Sequence, residues 1–394
     1  MNNRNRAIIL GCHVGGLGVI RALGMNNIQS IALTYDDFDF AFTSKYVIEK
    51  IEVPHPRREE SDFIDFLLQN GEKWKGSLIL ETDDHSAETI SKNRHELQKY
   101  YKIVTPQWEI LKQFVEKKEA HKLALESGVP HPGNYLPHSL EQLEAIKDKL
   151  SYPTLIKPVH GHVFKSIFNE KNFEVNSEGE LFKKFKLCLD AEQEVMIQEI
   201  IPGSESNLYK LQAYINTKGQ MVGKFFWNKL RQHPPIFGVG RVGVSTERHP
   251  EVEELTNRLV QYAKYTGYCS AEFKKDLRDG QLKLMEVNIR MPRNIWLAVS
   301  SGVNYPYLIY SDLVENRQLD VKEYHTNLYW IELGTDLYNA VFQRKKENFT
   351  LKEYLKPYLA KKKTFAVLSL KDFRPFLFQV KELFRRGLAS VRYF

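Results

Sequence analysis

The stretch "KLMEVNIRMPRN", Lys283–Asn294, carries a carboxylate, an amide and a guanidinium in alternation within an otherwise apolar run. Side chains along a strand point alternately to opposite faces, so Glu286, Asn288 and Arg290 share one face. Leu284 and Val287 fall on different faces, which predicts that both are at least partly covered. Upstream lies "YCSAEFKKDL", joined to "QLKLMEVNIR" by "RDG". An Asp-Gly pair between two such runs predicts a β-hairpin. With the turn centred on Asp279, Glu272 stands opposite Glu286. Two carboxylates and an amide oxygen at close range are unfavourable without a cation between them. All three are hard oxygen donors of the kind that hold Mg²⁺ against nucleotide phosphates. A solvated hairpin face with a Glu–Arg pair is the alternative.

Upstream of this hairpin the pattern falls into two regimes. Residues 6–105 alternate strand-like and helix-like segments: "RAIILG", "GGLGVIRALGMN", "SIALTY", "KYVIEKIEV", "SDFIDFLLQN" with Ser61 as N-cap, and "GSLILETDD". That βαβα rhythm predicts an open parallel sheet. From Trp108 a single helical run to Gly128 is expected, followed by the proline-rich connector "VPHPGNYLP" and then mixed strands and helices. The last 60 or so residues read as helical and basic.

Several further groups suit phosphate chemistry. "YPTLIKPVHGHVFKS" ends an apolar strand at Lys157 and continues into a glycine turn with His160, Gly161, His162, Lys165 and Ser166. A glycine turn lets backbone N–H groups approach phosphate oxygens, and Lys157 adds a point charge. The G-x-x-x-x-G-K-[ST] pattern is absent. A strand-end lysine before an ordinary turn is the competing account. "VMIQEIIPGSESNLY" offers an edge backbone for an adenine ring and Glu205 for ribose hydroxyls. In "WNKLRQHPPIFGVGR", Lys229 and Arg231 alternate onto one face before a Pro/Gly loop.

Taken in order, these features resemble the ATP-grasp superfamily, and within it the carboxylate–amine ligases of the D-aspartate-ligase type. The resemblance covers residues 6–315. It implies an α/β and α+β protein: a Rossmann-like N-terminal domain (1–110), a small lobe (111–195), a large lobe with the acidic hairpin (196–330) and a helical basic extension (331–394). By position, Lys117, with Lys118 as its rival, and Lys157 correspond to the two phosphate lysines, and Gly161 to Ser166 to the mobile loop over the phosphates. Gln198, Glu199 and Ile201 match the adenine hinge, acting largely through the backbone, and Glu205 matches the ribose acid. Glu272, Glu286 and Asn288 match the Mg²⁺ ligands, with Mn²⁺ as an alternative ion. Arg290 matches the arginine beside the acyl phosphate, and Lys229 and Arg231 a phosphate- or substrate-facing pair. The family's usual proline after the asparagine is Ile289 here, and "MPRNIW" replaces a Gly-Ser-type segment, which puts Arg293 in line as a carboxylate anchor. The implied reaction is ADP-forming: ATP activates a carboxylate as an acyl phosphate, and an amine displaces phosphate. A phosphotransferase that keeps the phosphoryl group on its product and a catalytically silent nucleotide-binding module are the competing functions.

Two N-terminal motifs remain outside that ordering. "GCHVGGLG" opens a helix after a strand, as a dinucleotide site does, but lacks the G-x-G-x-x-G spacing and has only Asp36 or Asp37 as a ribose acid. In "ETDDHS", Asp83 or Asp84 is placed to hold a substrate amine, with an N-cap as the simpler role.

Bulk composition narrows the setting. The chain has 394 residues, 42% hydrophobic content and a formal charge of +7. Its apolar runs are too short to span a bilayer, and the polar "MNNRNR" predicts no secretory leader. Three scattered cysteines make neither a metal spacing nor a disulfide framework, which predicts a reducing, cytoplasmic setting. No nucleic-acid motif accompanies the charge; the resemblance implies small-molecule acids and amines as partners, and a homodimer stays open. The tail "SLKDFRPFLFQVKELFRRGLASVRYF" spaces Phe373, Phe376, Leu377, Val380 and Phe384 helically among basic residues. It is either a terminal helix docked on its domain or a helix that touches a membrane surface or partner.

Overall fold

The computed structural model describes residues 6–159, 161–203, 207–233, 238–343 and 349–386. Three sheets organise them. The first has five parallel strands in the order β3-β2-β1-β4-β5: β1 (Arg6–Leu10), β2 (Gln29–Thr34), β3 (Val47–Glu52), β4 (Leu78–Glu81) and β5 (Lys102–Ile103). Helices α1 (Val14–Gly24), α2 (Glu60–Gln69), α3 (Asp84–Lys92) and α4 (Arg94–Leu97) connect them. The central strands β1 and β4 are almost wholly buried, as continuous apolar runs in a parallel sheet should be, whereas "VIEKIE" in β3 alternates half-buried and exposed at the edge.

The second sheet is antiparallel, in the order β6-β9-β7-β8: β6 (Asn134–Tyr135), β7 (Thr154–Pro158), β8 (Phe173–Val175) and β9 (Val195–Glu199). With it go α5 (Trp108–Val115) just upstream, α6 (Lys117–Glu126), α7 (Leu140–Glu144), α8 (Gly161–Phe168) and α9 (Glu178–Asp190). The third sheet runs β14-β13-β10-β11-β12-β15-β16: β10 (Leu208–Ile215), β11 (Met221–His233), β12 (Val239–Ser245), β13 (Gly267–Lys275), β14 (Leu282–Asn288), β15 (Tyr329–Ile331) and β16 (Lys363–Phe365). Its helices are α10 (Pro250–Tyr262), α11 (Ile295–Ser301), α12 (Tyr305–Leu313), α13 (Leu333–Phe342), α14 (Leu351–Leu359) and α15 (Arg374–Arg386).

The chain divides into two compact units, neither continuous in sequence. One is Met1–Val115, Tyr209–Ala271 and Val287–Phe394; the other is Glu116–Leu208 and Glu272–Glu286. The first unit's core joins Ile9 of β1 and Leu17, Ile20 and Leu23 of α1 to Ile295 of α11, Ile309 of α12, Trp330 of β15 and Val367. Its N-terminal and C-terminal parts therefore share one core rather than forming separate segments. Gly18 makes the contact possible, since a Cβ there would lie 2.6 Å from Ile295 Cγ2. The second unit has its own core of Leu143, Ile156, Phe164, Phe173, Leu181, Phe185 and Ile197.

Local signals were overridden in three places. The helical run from Trp108 breaks at Glu116 into α5 and α6, where one unit gives way to the other. Helix α2 starts at Glu60 after Glu59, so Ser61 is not its N-cap. The C-terminal region contributes two three-residue strands, too short for periodicity to reveal. No described helix is long and apolar enough to cross a membrane.

Candidate active site

In the smaller unit, the lysines come together first. Lys117 opens α6 and its Nζ donates to the carbonyl oxygen of Pro158 at the end of β7. Lys157, one residue earlier on β7, donates from Nζ to Gln198 Oε1 at 2.5 Å. Gln198 in turn donates to Asn134 Oδ1 at 2.7 Å. Desolvation lowers the pKa of Lys157, with Glu286 acting in the opposite direction. Desolvation and then the charge of Lys157 lower Lys117. The charge of Lys157 thus acts on Lys117, and that of Glu286 on Lys157. Lys118 instead pairs with Glu194 at 3.0 Å, which favours Lys117 over its neighbour as the phosphate lysine.

The acidic hairpin is present. Asp276 N–H donates to Gln281 O and Gly280 N–H to Asp276 O, both at 2.8 Å. Gly280 takes φ +75°, which explains the glycine of "RDG". Glu272 lies on β13 and Glu286 and Asn288 on its neighbour β14. Glu286 is exposed, and Glu272 and Asn288 are half-buried. Among the described residues no group of three or more His, Cys, Asp or Glu could hold a metal; the set here is two carboxylates and an amide.

The hairpin turn is tied to β9. Asp276, buried, receives Arg278 Nε at 2.9 Å and Lys283 Nζ at 2.6 Å. Arg278 reaches on to Glu199, whose other carboxylate oxygen accepts from Gly133 N–H at 3.0 Å. The Glu199 N–H also donates to Gly133 O at 2.9 Å. The Glu199 carboxylate therefore helps to fix β9; Ile201 beyond it is buried. These contacts pull Asp276 well below the usual carboxylate range, Arg278 first among them.

Two further expectations change. Gly161 to Ser166 is the start of helix α8, not a glycine turn. The stretch holds a single glycine, and Phe164 and Phe168 at i, i+4 both stack on Phe173, at ring distances of 5.0 and 5.1 Å. Glu205 and His160 lie outside the described residues.

In the larger unit, the carboxyl ends of β1 and β4 gather another cluster. Gly11 follows β1 with φ +82°, and a Cβ there would stand 2.6 Å from Thr82 Oγ1. His13 caps α1, its Nδ1 accepting from Gly15 N–H at 2.9 Å, while Nε2 lies 3.2 Å from Thr82 O. Burial and then Arg293 push His13 down to about 4, with Asp83 opposing and Arg290 adding to the fall. It is neutral at ordinary pH. Asp83 caps α3, accepting from Ser86 N–H at 2.9 Å, and it also accepts from the Tyr35 hydroxyl. Arg290 donates to Asp84 Oδ1 at 3.0 Å, and Arg293 to Glu332 Oε1 at 2.5 Å. In the sequence His13 is visible only as part of the glycine motif "GCHVGGLG". Its signal was a polar residue at the strand-to-helix junction, directly before α1.

Arg231 is not a substrate residue. Its guanidinium bonds Asp336 twice, at 2.8 and 2.7 Å, and Tyr354 O at 3.1 Å, with both ionic partners almost fully buried. Arg241 reaches the same carboxylate at 2.7 Å. A bulge between Lys229 and Arg231 breaks the alternation expected to put them on one face. Lys229 is half-buried, its Nζ 3.5 Å from Gly238 O.

Comparison with known proteins bears on the whole arrangement. No protein-family model matches the chain. A curated relative, the D-aspartate ligase of Enterococcus faecium, is 23% identical over 338 residues, covering 81% of this chain and 79% of its own. The crystal structure of an L-amino acid ligase from Bacillus licheniformis matches with a TM-score of 0.61 at 15% identity, over 81% of this chain and 76% of the other. The chain has an ATP-grasp fold. A second ATP-grasp neighbour is the biotin carboxylase domain of 2-oxoglutarate carboxylase from Hydrogenobacter thermophilus, solved with MgADP and bicarbonate. It matches with a TM-score of 0.63 at 16% identity, over 82% of this chain and 73% of the other.

Proposed function

We propose that this ATP-grasp protein is an ADP-forming ligase that activates a small-molecule carboxylate as an acyl phosphate and joins it to an amine. One observation carries the reading: within one compact unit, Lys117 at the start of α6 reaches the end of β7 beside Lys157, and the charge of Glu286 acts on Lys157. The likeness to amino-acid-using ligases supports it.

Glu272, Glu286 and Asn288 are a fitting donor set for a hard divalent ion, Mg²⁺ or alternatively Mn²⁺. Such an ion, when bound there, would supply positive charge that offsets the charge of the phosphates. The lysines do the rest of that neutralisation. A triphosphate near Lys157 counteracts the desolvation that lowers its pKa, so the ammonium form is the one that binds. Gln198 holds that ammonium in place beforehand, which limits reorganisation during phosphoryl transfer. With Glu199 engaged elsewhere, the adenine edge is read by backbone at residues 200–201, beyond β9.

In the larger unit, Arg290 is held by Asp84 and is available to a developing acyl phosphate. Asp84 also suits an incoming ammonium group. The attacking amine forms the C–N bond, the C–O bond to phosphate breaks, and the amine gives up one proton. The unreactive setting of the buried cysteines Cys12, Cys188 and Cys269 is consistent with a route that needs no covalent nucleophile. We place this chemistry in the cytoplasm, where ATP is supplied.

The test is incubation with Mg-ATP and pools of amino acids, amino sugars and small peptides, with mass spectrometry of the products. ADP and phosphate should appear in step and only when an acid and an amine are both present. A product that retains the phosphoryl group would instead identify a phosphotransferase.

A further inference from the structure

The positive charge of the chain is concentrated at one end. From Ile331 to Phe394 there are 14 Lys and Arg against 6 Asp and Glu, a balance of +8. The whole chain has 56 against 49, or +7, so the first 330 residues are nearly neutral at −1. The same end also holds 11 of the 20 large apolar side chains that are exposed among the described residues.

These apolar groups are arranged along helix faces. On α14, Leu351, Leu355 and Leu359 follow one another at i, i+4 and i+8, with exposures of 69, 38 and 76%. The helix is fixed along the flank of this stripe: Pro357 is buried, Tyr358 donates to Asp336 at 2.6 Å, and Arg231 bonds the Tyr354 carbonyl. Exposed lysines 352 and 356 lie within the helix, and Lys361, Lys362 and Lys363 follow it. The tail repeats the pattern. Its inner side is docked through Phe378, which stacks on Phe42 at 5.5 Å, and through Asp372, which binds Arg21. That leaves Leu370, Phe373, Leu377 and Phe384 outward, interleaved with Lys371, Arg374, Lys381 and Arg385.

We propose that the exposed faces of α14 and of the tail from Leu370 to Arg385 are a docking surface for an anionic phospholipid membrane. Such a surface accepts leucine and phenylalanine at the acyl boundary while its headgroups neutralise the lysines and arginines. A nucleic acid would match the charge but leave the leucine stripe in water. A second copy of the chain would cover the leucines but bring +8 against +8. The inference is independent of the proposed reaction.

The full chain is sedimented with extruded phosphatidylcholine vesicles with and without about a third phosphatidylglycerol. The expected result is pelleting with the anionic vesicles at low salt, reduced at least about tenfold on pure phosphatidylcholine or at high salt. Leu355→Glu/Leu359→Glu or Leu377→Glu/Phe384→Glu should lower binding comparably, as should reversing Lys361, Lys362 and Lys363 to Glu, with circular dichroism unchanged. The lysine variant alters only exposed side chains, so it tests the idea even if an apolar variant misfolds. Failure to pellet with anionic vesicles, equal pelleting on neutral ones, or binding that ignores every variant would overturn the proposal. So would a concentration-dependent dimer that the leucine variants dissolve.

Discussion

Lys117 and Lys118 are adjacent, chemically identical and both near phosphate-type chemistry, yet their surroundings separate them. Lys117 reaches the end of β7 beside Lys157, and Lys118 makes a surface pair with Glu194. Exposed pairs contribute ~0–1 kcal/mol, so Lys118→Ala should leave stability and ATP use nearly unchanged. Lys117→Ala should raise the KM for ATP by roughly tenfold or more, in line with a lost charge-assisted contact of about 1.5–3 kcal/mol. Steady-state ADP release measures both. Glu286→Ala should cut ADP release about a hundredfold or more while the circular dichroism spectrum is retained, because it removes a charge that compensates cations rather than a packing group. Glu81 makes a different kind of prediction. Burial raises it to about 7 from the ordinary 4.5. Between those values the folded protein keeps a proton that the unfolded chain has released, so this group's contribution to stability falls as pH rises from 4.5 to 7. Glu81→Gln should remove that slope, narrowing the difference between urea midpoints at the two ends of the window.

The hairpin β13–β14 shows how local chemistry and remote partners divide the work. Its turn follows from Asp-Gly and the positive φ of Gly280, both local. Its placement depends on Asp276, Arg278 and Lys283, which tie the turn to Glu199 on β9. Asp276 is fully buried but Arg278 is substantially exposed, so the pair is worth less than a fully buried one. Asp276→Asn should cost about 1–3 kcal/mol in urea unfolding and raise the KM for ATP more than it lowers kcat, since it loosens the hinge strand without touching reacting groups. If kcat alone fell, the hairpin would be acting on chemistry and not on nucleotide placement. Helix α8 makes the complementary point: one glycine in "GHVFKS" was weaker than the i, i+4 phenylalanines that pack on Phe173.

Across the chain, the larger unit is closed by contacts between its first and last parts. Arg21 on α1 is almost fully buried; it bonds Asp372 at 3.0 Å and the carbonyls of Ala366, Val367 and Asp372, while Ser44 and the Lys45 N–H complete the carboxylate. Removing one partner leaves an uncompensated buried charge. Arg21→Ala or Asp372→Ala should therefore destabilise the protein by about 3–5 kcal/mol, read as a lowered unfolding midpoint, with the smaller unit's core untouched. Arg231 and Asp336 form a second such pair 105 positions apart, and Arg231→Ala should likewise act on stability before activity.

Much of the architecture was legible because it rests on short-range physics. Apolar runs and alternation mark the parallel strands, and Asp-Gly marks the hairpin. These depend on side-chain periodicity and turn geometry, which a few neighbouring residues determine. The ATP-grasp layout was legible only as a resemblance, in the order of Lys117, Lys157, Glu272, Glu286 and Asn288. What only the folded chain decided was which charges meet. Arg231 and Lys229 look alike in sequence, but a bulge and Asp336 bury the first; the Glu199 carboxylate is taken up by Arg278, 79 positions away, and by Gly133. A buried charge must find its counter-ion wherever the chain brings one, and no local pattern encodes a partner a hundred or more residues away.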